Sequence, residues 1–173
     1  MSLLVISSSL NPDSNSRKLA VAAVAAAEAS STPVQYVDLR EKSLPICDGA
    51  ESFEHPELDS LKAQIGGASA IILSGPVYAY GMAASTKNLI ELTGRAWTGK
   101  PVGLMAAAGG SFSYMAVLGL ANTLMLDYRC PIIPKYVYAT GSDFDAEGQG
   151  VADTIESRIA ELVRTVVHWG SVL

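Results

Sequence analysis

The sequence predicts a doubly wound α/β fold: a five-stranded parallel sheet with helices on both faces. Three observations carry that reading. Short apolar runs alternate with longer helical patterns along the chain. The runs are mostly continuous, as strands buried on both faces should be. The 173 residues, 49% hydrophobic and 17% charged, are enough for one core of this kind, so 1–173 is expected to be a single domain.

Taken in order, strands are predicted at 3–8, 34–39, 70–74, 102–107 and 132–138. Helices are predicted at about 16–29, 57–65, 84–95 and 114–128, and a last one follows near the carboxyl terminus. In that last helix Ile155, Ile159, Leu162, Val163 and Val166 form an apolar stripe opposite Glu156, Arg158, Glu161 and Arg164. Strands and helices that alternate imply right-handed crossovers and a parallel sheet, and five such units most often wind in the flavodoxin-like order 2-1-3-4-5.

Composition narrows the partners. The formal charge is -5 and neither Lys nor Arg forms a run, which argues against nucleic acid and anionic membranes and for small molecules. Cys47 and Cys130 make no Cys-x-x-Cys pair and have no His at ligand spacing, so no disulfide or metal is expected and a reducing cytoplasm fits. Leu3 to Ile6 lacks a basic flank and is not read as a signal peptide. The stretch 101–126 is uncharged and long enough to span a bilayer, but Gly109, Gly110, Ser111, Ser113 and Tyr114 interrupt it, which suits a strand, a turn and a helix in succession.

In such a sheet a ligand lies outside the carboxyl ends of the strands. The loop after the first strand, Ser8-Ser9-Leu10-Asn11-Pro12-Asp13-Ser14-Asn15-Ser16-Arg17, is rich in hydroxyls and amides and runs straight into a helix. Hydroxyls and the free N–H groups of a helix start make a phosphate cradle without a lysine. The same residues also suit a plain helix N-cap at Ser14, Asn15 or Ser16. Neither a G-x-G-x-x-G fingerprint nor a P-loop is present.

The loop after the third strand, Ser74-Gly75-Pro76-Val77-Tyr78-Ala79-Tyr80-Gly81-Met82, offers two tyrosines and small residues against which a flat aromatic ligand can lie. A buried turn with packing tyrosines is the alternative. After the fourth strand, Ala108-Gly109-Gly110-Ser111-Phe112-Ser113-Tyr114 contains consecutive glycines that let a ligand approach the backbone, or simply a tight turn. All three loops are expected to meet at one end of one sheet.

With these loops in view, the sequence resembles the NADPH-dependent FMN reductase family, which is flavodoxin-like and includes quinone, azo-dye and chromate reductases. Ser9-Leu10 through Ser14-Asn15-Ser16 and Leu19-Ala20 is similar to the family's G-S-L-R-x-x-S-x-N phosphate loop. Pro76-Val77-Tyr78 through Lys87-Asn88-Leu89-Ile90-Glu91 is similar to its P-x-Y…K-N-x-x-D signature. Ser8 replaces the usual glycine, Asn11 the common arginine, and Glu91 the usual aspartate.

The resemblance implies FMN as cofactor and NADPH or NADH as hydride donor. Ser9, Asn11, Ser14, Asn15 and Ser16 would hold the phosphate end; Pro76, Val77, Tyr78, Ala79, Tyr80 and Gly81 would contact the isoalloxazine and ribityl chain; Gly109, Gly110, Ser111 and Tyr114 would border the ring. No catalytic triad is required, because the chemistry belongs to the flavin, and His55 among Glu51, Glu54 and Glu57 is read as a solvated turn residue. The expected activity is reduction of free flavin, a quinone or a similar small acceptor. The competing readings are an electron carrier on the same fold and a flavin-free protein that binds a phosphate ester. Finally, 114–126 is apolar all round, so the helices 84–95 and 114–128 are expected to join two copies as a homodimer or within a homotetramer.

Overall fold

The computed structural model describes residues 2–145 and 150–173. Its parallel strands are β1 (Leu3–Ser7), β2 (Val34–Asp38), β3 (Ala70–Tyr78), β5 (Val102–Ala108) and β6 (Val137–Thr140), and a two-residue strand β4 (Gly81–Met82) folds back antiparallel on β3. They lie in the order β2-β1-β3-β5-β6, which over the five parallel strands is the predicted 2-1-3-4-5. The α-helices are α1 (Asn15–Ala29), α2 (Glu57–Gly67), α3 (Ala84–Thr93), α4 (Leu118–Tyr128) and α5 (Asp153–Val172).

The pleat sorts the side chains. Leu4, Ile6, Ile71, Leu73 and Leu104 face one way and pack with Leu61 and Ile65 of α2, Leu89 and Ile90 of α3, and Leu120 and Leu124 of α4. Leu3, Val5, Ile72 and Met105 face the other way, against Leu19, Ala20, Ala23 and Ala27 of α1 and the full predicted stripe of α5. The alanines of α1 have a use here: small side chains let that helix settle close on the central strands.

Three elements depart from the sequence expectation. β3 continues past Ser74 to Tyr78, although it contains Pro76. The pairing of β1 with β3 stops at Ser7 and Ser74, so the proline sits where one edge of the strand is already open. The last strand is Val137–Thr140 rather than 132–138; Ile132 makes only an isolated bridge to Val102, because Pro134 lacks a donor and Lys135 turns the chain at φ 58°. The predicted helix 114–128 becomes a 3-10 segment, Ser111–Val117, kinked at Ser113, before α4 begins at Leu118. There the hydroxyls of Tyr136 and Tyr138 donate to the carbonyls of Tyr114 and Gly110, competing for the acceptors that a regular helix would use.

Candidate functional site

The three loops do converge at the carboxyl end of the sheet. A cavity of about 200 Å³ is lined by Ser9, Asn11, Asp13, Ser14, Asn15 and Ser16 from the β1–α1 loop, Pro76 and Tyr78 from β3, Ala107, Ala108 and Gly109 from β5, and Gly141 after β6. A larger groove of about 630 Å³ lies behind the same loop, along Arg17, Lys18, Val21, Ala22 and Ala25 of α1. The smaller cavity is the better site on chemistry. It gathers the ends of four strands, β1, β3, β5 and β6, and the start of a helix, where N–H groups are unsatisfied.

That first loop is built by its own polar side chains. Ser14 is the N-cap of α1, its Oγ accepting from the Arg17 N–H at 3.1 Å and lying 3.0 Å from Ser16 Oγ. Ser9 Oγ accepts from the Asn11 N–H at 3.2 Å, and Asn11 Oδ1 accepts from the Asp13 N–H at 3.0 Å. The cap and the cradle are therefore not alternatives. Ser14 satisfies one donor of the first turn, while the N–H groups of Asn15 and Ser16 have no acceptor among the described residues.

Ser8 explains its own departure from the family glycine. It is fully buried beneath the loop, its Oγ donating to the Ser74 carbonyl at 2.9 Å and lying 2.7 Å from Thr86 Oγ1. Ser85 Oγ donates to the Ser8 carbonyl at 2.6 Å, and Ser74 Oγ to the Ser16 carbonyl at 2.7 Å. This hydroxyl layer ties β1, β3, the start of α1 and the start of α3 together under the cavity.

The remaining predicted residues are placed differently. Val77, Tyr78 and Gly81 belong to the β3–β4 hairpin, whose two-residue tip is Ala79 (φ 49°) and Tyr80 (φ 61°). Tyr80 is 72% exposed at that tip. Gly110 and Ser111 begin the 3-10 segment and do not line the cavity. Tyr114 packs against Tyr136 and Tyr138, with ring centroids 4.8 and 5.4 Å away, and faces a separate cavity with Pro134, Lys135 and Arg158.

In the second motif Lys87 pairs with Glu91 at 2.5 Å one turn on, so the longer acid still closes the pair. Asn88 accepts from the Cys47 N–H and donates to the Pro45 carbonyl, both at 2.8 Å, which fixes the loop after β2 beside α3. Sequence reasoning missed Gly141 and Arg17. Gly141 was hidden because the last strand was placed too early, and Arg17 because its partners are backbone carbonyls and the distant Asp38, which no spacing rule connects.

Residues 1–145 match the family described as NADPH-dependent FMN reductase. The chain belongs to that family. It is 25% identical over 138 residues to an NAD(P)H-dependent FAD/FMN reductase of Geobacillus thermodenitrificans, covering 78% of this chain and 74% of that protein. It is 29% identical over 109 residues to an NADPH azoreductase of a Bacillus species, covering 62% and 61%. Among solved structures, the flavoenzyme NAD(P)H:(acceptor) oxidoreductase FerB of Paracoccus denitrificans has a TM-score of 0.79 at 23% identity, covering 98% and 97%, a likeness of fold.

The protein is thus an FMN-dependent, NAD(P)H-dependent oxidoreductase, and its residues fit that cofactor. Unpaired helix N–H groups and neutral hydroxyls around a cavity at strand ends are donors suited to a phosphate ester. FMN, when bound, supplies hydride uptake from the nicotinamide and electron delivery to the acceptor. The protein's own share is binding, orientation and exclusion of water. Among the described residues no group of His, Cys, Asp or Glu is placed to hold a metal ion, and no helix is long and apolar enough to cross a membrane.

Proposed function

We propose that this enzyme passes electrons from NAD(P)H through FMN to a small planar acceptor, a free flavin or a quinone. FMN sits with its phosphate against Ser9, Asn11, Ser14, Asn15 and Ser16 and its ring toward the β3–β4 hairpin and Gly109 to Ser111. The observation that carries the reading is the set of unpaired Asn15 and Ser16 N–H groups in a cavity walled by Pro76, Tyr78 and Gly109. Tyr78 in that wall and Tyr80 at the hairpin tip are both exposed, a surface suited to a flat ring. Two free thiols fit work in the cytoplasm.

Steady-state NADPH and NADH oxidation with added FMN or a naphthoquinone tests the proposal. Sustained turnover with either acceptor supports it; a single stoichiometric reduction of bound flavin without turnover identifies an electron carrier instead. Protein that stays colourless after incubation with FMN and desalting removes the flavin assignment itself.

The same reading includes a homodimer, alone or within a homotetramer. Met115, Leu118, Met125 and Leu126 are exposed along the 3-10 segment and α4, and Phe112 is 89% exposed. Exposed apolar residues of this kind suit a second copy, while the large apolar residues of α3 in the predicted interface, Leu89, Ile90 and Leu92, are buried within the chain.

A further inference from the structure

We propose that Arg17 is the positioning residue of the FMN phosphate loop, acting through the loop backbone rather than by its charge. Its guanidinium donates to three carbonyls of that loop: Asn11 and Pro12 from Nη1, both at 3.0 Å, and Ser9 from Nη2 at 3.4 Å. The other edge is held by Asp38 at the end of β2, with Nε to Oδ2 at 2.5 Å and Nη2 to Oδ1 at 3.4 Å. Asp38 is itself fixed, since its Oδ1 also accepts from the Arg40 N–H at 3.0 Å. Hydrogen bonding to Asp38 raises the Arg17 pKa above its usual value, against the opposing effect of burial.

Three consequences follow from this geometry. The pair with Asp38 offsets the cation, so the phosphate meets little net charge from this side. A trans peptide sets C=O and the following N–H on opposite sides, so holding the Ser9 carbonyl on Arg17 turns the Leu10 N–H away from it. Among the described residues the only charged side chain lining the cavity is Asp13. The cradle therefore works with neutral donors, and Arg17 fixes the backbone path from Ser9 to Pro12 that carries Ser9 and Asn11 into the cavity, at a position where the loop itself has Asn11 and no cation.

This inference rests on the FMN site proposed above, and the test separates the two. Flavin fluorescence titrations of the full-length apoprotein with FMN and with riboflavin, which lacks the phosphate, are made on wild type, Arg17→Ala, Arg17→Lys and Asp38→Asn. The expected result is an FMN affinity about tenfold lower in Arg17→Ala with riboflavin affinity within about twofold of wild type. Arg17→Lys should not rescue it, because an ammonium keeps the charge but cannot span three carbonyls and a carboxylate in one plane. Asp38→Asn should lower FMN affinity in the same direction.

Full FMN affinity in Arg17→Lys overturns the proposal by showing that charge suffices. Parallel loss for both flavins overturns it by showing a general structural role. Should Arg17→Ala fail to fold, the Lys and Asn variants decide. A wild type that binds FMN no better than riboflavin removes the phosphate site itself and this inference with it.

Discussion

Ser8 Oγ and Thr86 Oγ1 lie 2.7 Å apart, both fully buried, and they meet across the backbone of Gly75. A Cβ on Gly75 would stand 2.5 Å from Ser8 Oγ and 2.9 Å from Thr86 Oγ1 and from Met82 Cε. The floor of the site thus depends on one absent side chain.

Gly75→Ala should accordingly destabilise the fold by about 1–3 kcal/mol, since overpacking moves backbone at a point where two strands and a helix meet. Ser8→Gly, which restores the residue usual in the family, should cost about 1–2 kcal/mol by leaving the buried Thr86 hydroxyl without its partner, while the Ser74 carbonyl keeps its bond from the residue 8 N–H. The double variant should cost less than the sum, because the closest clash is with the hydroxyl that Ser8→Gly removes. Urea unfolding of the three variants measures this; strict additivity would show that the two residues do not oppose each other.

Ser16 lines the cavity at the first turn of α1. Ser16→Glu should weaken FMN binding strongly by placing an anion where the helix start favours the phosphate, and Ser16→Ala should cost only about 1 kcal/mol of binding. Flavin fluorescence titration distinguishes them, and equal affinity in Ser16→Glu and wild type would place the phosphate elsewhere.

The hairpin tip carries stored strain. Ala79 and Tyr80 both adopt positive φ, which costs an L-residue about 1 kcal/mol or more each relative to glycine. Ala79→Gly should raise the unfolding free energy by about that amount. Tyr80→Gly should also relieve strain but remove the exposed ring that the proposed FMN pose sets toward the flavin, so on that proposal its KM for the acceptor should rise while stability does not fall. Thermal melts and acceptor kinetics on the two variants check both statements.

The two cysteines should behave oppositely. Cys130 is buried, its Sγ 3.1 Å from the Trp97 carbonyl, and burial pushes its thiol up from 9.0 to about 11. Native protein should therefore react with iodoacetamide at half-buried Cys47 and leave Cys130 unmodified. In the unfolded chain Cys130 ionises near 9, so its contribution to stability is intact below that pH and is lost as the pH rises through about 11. Cys130→Ala should flatten the alkaline fall seen in denaturant titrations between those values.

Assembly is tested by two leucines on α4. Leu118 is 48% exposed and Leu124 fully buried within the chain. Leu118→Asp should yield a folded monomer in light scattering, whereas Leu124→Asp should unfold, because an unpaired carboxylate in a core costs several kcal/mol. A wild type running at 18.1 kDa would refute the dimer.

Local pattern settled the parts of this protein that depend on local physics. Apolar runs gave β1, β2 and β5, their alternation with helical patterns gave the sheet order, the stripe from Ile155 to Val166 gave α5, and the hydroxyl-rich loop marked the start of α1, where N–H groups are exposed. What only the tertiary structure decided lies where distant segments compete for the same backbone groups. The hydroxyls of Tyr136 and Tyr138 reach back to carbonyls near Ser113 and hold the chain out of the predicted helix. Pro134 and Lys135 delay the last strand, which brings Gly141 rather than Tyr138 to the cavity. The partnership of Arg17 with Asp38 joins residues 21 apart, and a bond of that kind becomes visible only once β2 is laid beside β1.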